Sequence, residues 1–313
     1  MKQFDVVALG EILIDMTYAG KSEAGQTLFE QNHGGAPANV LTAVQRLGGR
    51  TALIGKVGQD MHGDFLRATL ESEKVSTEGL LVDESVFTTL AFVNLDENGD
   101  RSFSFARKPG ADTCLSKEEV KLDLIQGTRI FHIGSLSLTD EPAKTASFFA
   151  LDAAKDAGCI ISYDPNYRAS LWRSEKEAVE GMRSIVPYVD IIKISDEETQ
   201  LLTGKADVYE ASEVLLSQGV KVVIVTMCKK GAVVRTKDGV VESPALSVQA
   251  VDTTGAGDAF MGGFLWQVAQ SHKSADELTL SDIQTFADFS NKVSGFCVGR
   301  RGAICAMPFP EDL

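Results

Sequence analysis

The run Asp252-Thr253-Thr254-Gly255-Ala256-Gly257-Asp258-Ala259-Phe260 constrains this chain more than any other stretch. An apolar alternation through Leu246, Val248 and Ala250 precedes it, and Phe260, Phe264 and Val268 repeat at helical spacing after it. The pattern predicts a strand, a tight glycine turn and a helix start. Gly255 and Gly257 let bare backbone approach a ligand. The first amides of a helix lack internal acceptors and lie at its positive end, so the tip at Gly255, Ala256 and Gly257 attracts an anion. Asp258 falls in the first turn beside that tip, where a carboxylate would repel a phosphate it had to ligate. A base that takes a proton from an attacking hydroxyl explains it better. The plainer alternative is an acid that only complements the helix dipole.

Two other glycine motifs are excluded. A dinucleotide-binding turn needs glycine or alanine where Phe260 stands. No G-x-x-x-x-G-K-[ST] run occurs, because Gly204-Lys205 is followed by Ala206 and lacks the earlier glycine.

A chain of 313 residues that is 44% hydrophobic buries a large core. Its formal net charge of −14 argues against nucleic acid or a membrane surface as partner, since both would repel it. Five cysteines without metal-ligand spacing read as free thiols in a reducing cytosol. The chain starts without a charged and apolar leader and holds no run of membrane length, so a soluble, cytoplasmic protein is expected.

Residues 4–14 predict one strand, and Gly34-Gly35-Ala36-Pro37-Ala38-Asn39 leads a helix that Gly48-Gly49 stops. Two alternating runs, 88–95 and 101–106, flank Asn98-Gly99, a strong hairpin signal, and Lys237-Asp238-Gly239 closes another. Ser116 with Glu119, Ser195 with Glu198, and Ser281 with Gln284 read as helix capping signals. From 129 to 225 strands and helices alternate, which predicts a parallel sheet covered by helices on both faces.

Asp252 to Asp258 resembles the C-terminal signature of the ribokinase-like (PfkB-type) sugar kinases, and within that family the chain is most similar to fructokinases. The likeness runs from the first strand to the last helix. It implies one domain over 1–313, a three-layer α/β/α fold with a mostly parallel sheet. A small β lid, inserted from roughly 11–33 and 86–111, would cover the sugar and exclude water. The activity implied is ATP-dependent phosphorylation of D-fructose to fructose 6-phosphate. Its catalytic set is Asp258, the backbone of Gly255, Ala256 and Gly257, and Arg168 from Asp164-Pro165-Asn166-Tyr167-Arg168.

The resemblance also assigns the binding residues. Asp15, Gly34, Gly35, Asn39 and Arg107 would meet the sugar, and an Asp such as Asp15 accepts two hydroxyl hydrogen bonds in fixed geometry. Arg107 reads equally as a solvated basic turn. Lys193, Thr226, Gly231 and Asn291 would meet the nucleotide. Glu198 would hold Mg2+ through water, although helix initiation also explains Ser195 and Glu198. Asp252, Thr254, Cys297, Arg300 and Gly302 match a loop that binds K+ in ribokinases, with Ala306 in place of a serine ligand. Family members often dimerise by pairing lids. Two rivals stay open here: a 2-keto-3-deoxygluconate kinase, and a non-catalytic sugar- or nucleotide-binding regulator on the same fold.

Overall fold

The structure, a computed structural model, describes residues 2–95 and 101–313. Along the chain run strands β1 (Phe4–Leu9), β2 (Leu13–Lys21), β3 (Thr27–Gly34), helix α1 (Ala36–Arg46), β4 (Thr51–Gly58), α2 (Met61–Ser72) and β5 (Ser76–Asp83). Then come β6 (Leu90–Leu95), β7 (Arg101–Ala106), α3 (Leu122–Gln126), β8 (Thr128–Gly134), α4 (Ala143–Asp156) and β9 (Ile160–Asp164). The rest comprises α5 (Glu175–Ile185), β10 (Ile191–Ser195), α6 (Thr199–Thr203), α7 (Val208–Ser217), β11 (Val222–Thr226), β12 (Ala232–Thr236), β13 (Gly239–Ser243), α8 (Ala256–Ser271) and α9 (Leu280–Val298).

Nine strands form one sheet in the order β13-β12-β11-β10-β9-β8-β1-β4-β5. Its strands are parallel from β5 through β11, and the β11–β12 and β12–β13 pairings are antiparallel. Side chains alternate between two cores. Val6 and Ala8 of β1 pack with α1 and α8 residues such as Val40 and Phe264, whereas Val7 and Leu9 pack with α4 and α5 residues such as Ala150 and Met182. This period-two partition places helices on both faces, the expected three-layer architecture. Order reverses at β1, which sits between β8 and β4, and open sheets gather ligands beyond the carboxyl ends of the strands at such a point.

A second, four-stranded sheet, β3-β2-β6-β7, forms the lid. The strand expected over 4–14 is in fact two, because the chain leaves the main sheet at Gly10 and enters the lid at Leu13. The β6–β7 pairing is antiparallel, with Leu95 opposite Arg101, and the predicted Asn98-Gly99 turn lies outside the described residues.

Two further expectations are corrected. Residues 244–250 pair with no strand, although Leu246 and Val248 alternate. Pro244 lacks an N–H, and both side chains lean on α9 at Gly295 instead, half exposed. The last helix is capped by Thr279 and Asp282, whose backbone and side chains exchange hydrogen bonds, so Ser281 and Gln284 already lie inside it. Ser116 and Glu119 form the expected capping box, with the Ser116 amide donating to Glu119 at 2.9 Å, at the start of a three-residue 3-10 turn.

Candidate active site

The tip of α8 forms as the glycines predicted. Gly255 occupies the N-cap with φ 75°, a left-handed backbone, and no side chain caps the helix. A methyl group at Gly255 would come within 2.7 Å of Ala303 Cβ. Among the described residues, no acceptor meets the amides of Gly255 and Gly257, whereas the Ala256 amide donates to Thr253 O over a long 3.3 Å. The anion hole is therefore narrower than the three-residue run suggests.

Behind the tip lies a staple. Asp252 Oδ1 accepts from the Thr254 amide at 2.9 Å and its hydroxyl at 2.7 Å, and Oδ2 accepts from the Gly302 amide at 3.0 Å. Cys297 lies beneath, its thiol pointing at Thr254 O, and burial with the nearby Asp258 and Asp252 charges pushes that thiol up to about 12. Cys297 is a neutral, inert group here. The Arg300 side chain stacks over the Phe296 ring at 3.4 Å.

Asp258 is part-buried, and Oδ2 accepts a 2.7 Å hydrogen bond from Asn39 Nδ2 on α1. Burial and the charge on Asp164 push its carboxyl up to about 6, against the pull of Asn39, Lys193 and Arg168. That value suits a group that must lose and regain a proton near neutral pH.

The C-terminal ends of β9 and β10 complete this half of the site. Lys193 is buried and paired with Asp164 at 2.8 Å. Burial works against its charge, but Asp164, Glu198 and Asp258 around it hold it above the ordinary lysine value. A Cβ at Gly257 would sit 3.1 Å from Lys193 Nζ, so the ammonium lies against the helix tip. Glu198 is buried between two strand ends, with Oε1 accepting from the Tyr167 amide at 2.7 Å and Oε2 from the Ser195 amide and hydroxyl at 2.8 and 3.0 Å. The Ser195 hydroxyl thus donates to Glu198 instead of capping a helix, which starts only at Thr199. Asn166 takes a left-handed backbone at φ 46°, and Arg168 donates to Tyr167 O while bearing electrostatically on Asp258.

The sugar-side residues gather at the lid junction. Asp15 on β2 packs so closely on Gly34 that a side chain there would collide with its carboxylate. Gly35 caps α1 at φ 111°. Arg107 is buried, with its guanidinium paired to Asp112 at 2.6 Å and donating to the Thr139 hydroxyl at 2.8 Å and Leu136 O at 2.9 Å. The guanidinium is thus held by the protein itself, which corrects the picture of a solvated basic turn. Thr226 ends β11 beside Lys193's strand, its hydroxyl reaching Ile194 O at 3.4 Å. Gly231 and Asn291 converge on one segment: Gly231, at φ 97°, abuts Ser243 to Ala245, and Asn291 Nδ2 donates to Ser243 O at 3.1 Å and Pro244 O at 3.2 Å.

Two residues escaped the sequence reading. Asp164 is the counter-charge of Lys193, and its place at the end of β9 was the available signal. Glu11, directly after the Gly10 break, is buried at 3% exposure and accepts from the Ala36 amide at 3.0 Å.

An open helix tip, a poised carboxylate and a flanking buried lysine are what phosphoryl transfer to a hydroxyl requires. The family model described as "pfkB family carbohydrate kinase" matches residues 3–310. The chain belongs to the pfkB carbohydrate kinase family. Among curated relatives of this family, the probable fructokinase-5 of Arabidopsis thaliana is 42% identical over 98% of this chain and 95% of its own length. Fructokinase-2 of Oryza sativa subsp. japonica is 44% identical over 97% and 90%. Among solved pfkB structures, fructokinase with bound ATP from Xylella fastidiosa superposes with a TM-score of 0.89 at 34% identity, covering 98% of this chain and 96% of that one. Fructokinase from Vibrio cholerae O395, bound to fructose, ADP and a calcium ion, gives 0.89 at 32%, covering 98% and 97%. Among the described residues, no helix is long and apolar enough to cross a membrane.

Proposed function

We propose that this chain transfers the γ-phosphoryl group of ATP to the 6-hydroxyl of D-fructose, giving fructose 6-phosphate and ADP. The observation that carries this reading is the contact between Asn39 and Asp258 at the mouth of an uncapped, glycine-led α8. Asp258 takes the hydroxyl proton as the sugar oxygen forms a bond to phosphorus and the bridging bond to ADP breaks. The Gly255 and Gly257 amides hold the charge on the travelling group, with Lys193 beside them and Arg168 near. Asp15, Gly34, Gly35 and Asn39 hold the sugar, and the lid over them excludes water.

The nucleotide base would lie in the groove of about 530 Å³ between Leu246, Val248 and α9 residues Lys292, Gly295 and Phe296, and Gly231 and Asn291 touch the Ser243–Ala245 segment that leads into it. Among the described residues, no cluster of three His, Cys, Asp or Glu could cage a metal. Hard carboxylate oxygens at Asp164 and Glu198 with no cage suit an Mg2+ that stays on the phosphates and its own waters. Bound so, the ion would neutralise phosphate charge. The Asp252–Gly302 staple is where the same reading puts K+. Tyr18 and Phe29, cross-strand neighbours on the lid exposed at 37% and 42%, are the surface on which two copies would pair. Five free cysteines fit action in the cytoplasm.

The test is ADP formation by purified protein with Mg-ATP and fructose, 2-keto-3-deoxygluconate, ribose or adenosine. Fructose should give the highest kcat/KM by at least tenfold. A higher value with any other acceptor overturns the assignment, and binding without turnover on all four makes the protein a regulator.

A further inference from the structure

α1 begins without the usual means of satisfying its first amides. Its N-cap is Gly35, which has no side chain, its first turn holds no acid, and Pro37 brings no N–H. The missing acceptor comes from 25 residues upstream: Glu11 Oε1 takes the Ala36 amide at 3.0 Å. Gly35 rests directly on the same segment, since a Cβ there would come within 2.5 Å of Glu11 O and 2.9 Å of Ile12 Cα. This Gly10–Ile12 crossing is where the chain passes from the main sheet to the lid. One turn along α1, Asn39 donates to Asp258 at 2.7 Å. Burial pushes the Glu11 carboxyl up to about 7, and the charges facing it are Asp112 and Arg107, themselves a buried pair at the base of β7; its oxygen accepts from Ala36 with or without the proton.

We propose that Glu11 is a positioning residue for phosphoryl transfer: its buried carboxyl caps α1 from the lid crossing and thereby holds Asn39 against Asp258. This rests on the kinase reading above. Without the cap the first turn of α1 loosens, Asn39 drifts from Asp258, and the base loses the donor that favours its charged form. The groups that then set its proton affinity are Asp164, Lys193 and Arg168 from β9, β10 and the loop between them, with the Cys297 thiol beneath.

The experiment compares wild type, Glu11→Ala and Glu11→Gln by kcat–pH profile and by backbone amide exchange. In Glu11→Ala, kcat should fall by up to roughly tenfold, and the acidic limb of the profile should move to higher pH. The Ala36 amide should exchange at least tenfold faster while amides deeper in α1 hold. Gln keeps an oxygen acceptor, so Glu11→Gln should restore Ala36 protection and most of kcat. If Glu11→Ala does not fold, Glu11→Asp, too short to reach Ala36, takes its place with the same expectations. A variant that melts lower yet keeps the wild-type kcat and acidic limb makes Glu11 merely structural and overturns the proposal; so does an Ala36 amide still protected in it. Wild-type protein inactive on fructose defeats the kinase assignment instead, and the exchange comparison still decides whether Glu11 caps α1.

Discussion

Two helices point their first turns at this site, and both start from a glycine that offers no side-chain cap. At α8, the amides of Gly255 and Gly257 meet no acceptor among the described residues, with Lys193 alongside. At α1, the first amide is already taken by the buried carboxyl of Glu11. One tip is open to an anion and the other is already filled by a carboxyl oxygen. The difference is what a kinase of a neutral sugar needs. Charge must be received at the nucleotide side, while at the sugar side an unfilled positive end would attract stray phosphate. Asn39 and Asp258 join the two tips, so the plugged helix fixes the geometry that the open one uses.

The sharpest way to break this contrast is to remove the base at the open tip. Asp258→Asn should lower kcat by roughly 10²–10⁴ while fructose binding, read by calorimetry, changes only a few-fold. Closing the open tip comes next. Gly257→Ala puts a methyl 3.1 Å from Lys193 Nζ, where the phosphoryl group must pass, and should cost roughly 10²–10³ in kcat/KM for ATP. Cutting the link between the tips is milder: Asn39→Ala should cost roughly tenfold in kcat. Wild-type kcat should fall as pH drops below about 6, where Asp258 takes up its proton, and in Asn39→Ala that limb should move upward.

The smallest effect is on stability. The Asp258 carboxyl sits at about 6 in the fold against an ordinary 3.8, so its charged form is disfavoured there. The native state therefore binds the proton more tightly than the unfolded chain, and the penalty applies above pH 6 and fades as pH falls toward 4. Asp258→Asn should raise the melting temperature at pH 8 by a few degrees and gain little at pH 4.

The two tips also differ in how far the sequence revealed them. The open tip is local: the glycine spacing of 255 and 257, the acid at 258 and the apolar repeat after it all lie within one helical turn or two. Its plugged counterpart is not. Glu11 serves a helix 25 residues away, across a strand pair that had to be known first, and the run 4–14 hid the Gly10 break because apolar residues lie on both sides of it, at 6–9 and 12–14. Likewise Asp164 reads as a turn residue until parallel pairing of β9 with β10 sets Lys193 beside it. The alternation at Leu246 and Val248 misled for a related reason. Period two marks a surface with two environments, and a segment leaning on α9 shows the same pattern as a strand. The parallel sheet was legible because its buried strands and intervening helices announce themselves one at a time.

The central claim is that the transferred group rides on the open tip of α8 with the sugar hydroxyl facing Asp258. A crystal structure with Mg2+, ADP, fructose and aluminium fluoride tests it most directly. The fluoroaluminate should lie within hydrogen-bond distance of the Gly255 and Gly257 amides, with the fructose 6-hydroxyl between it and Asp258. A fluoroaluminate bound away from that tip, or a sugar turned with its 6-hydroxyl away from Asp258, would contradict the account.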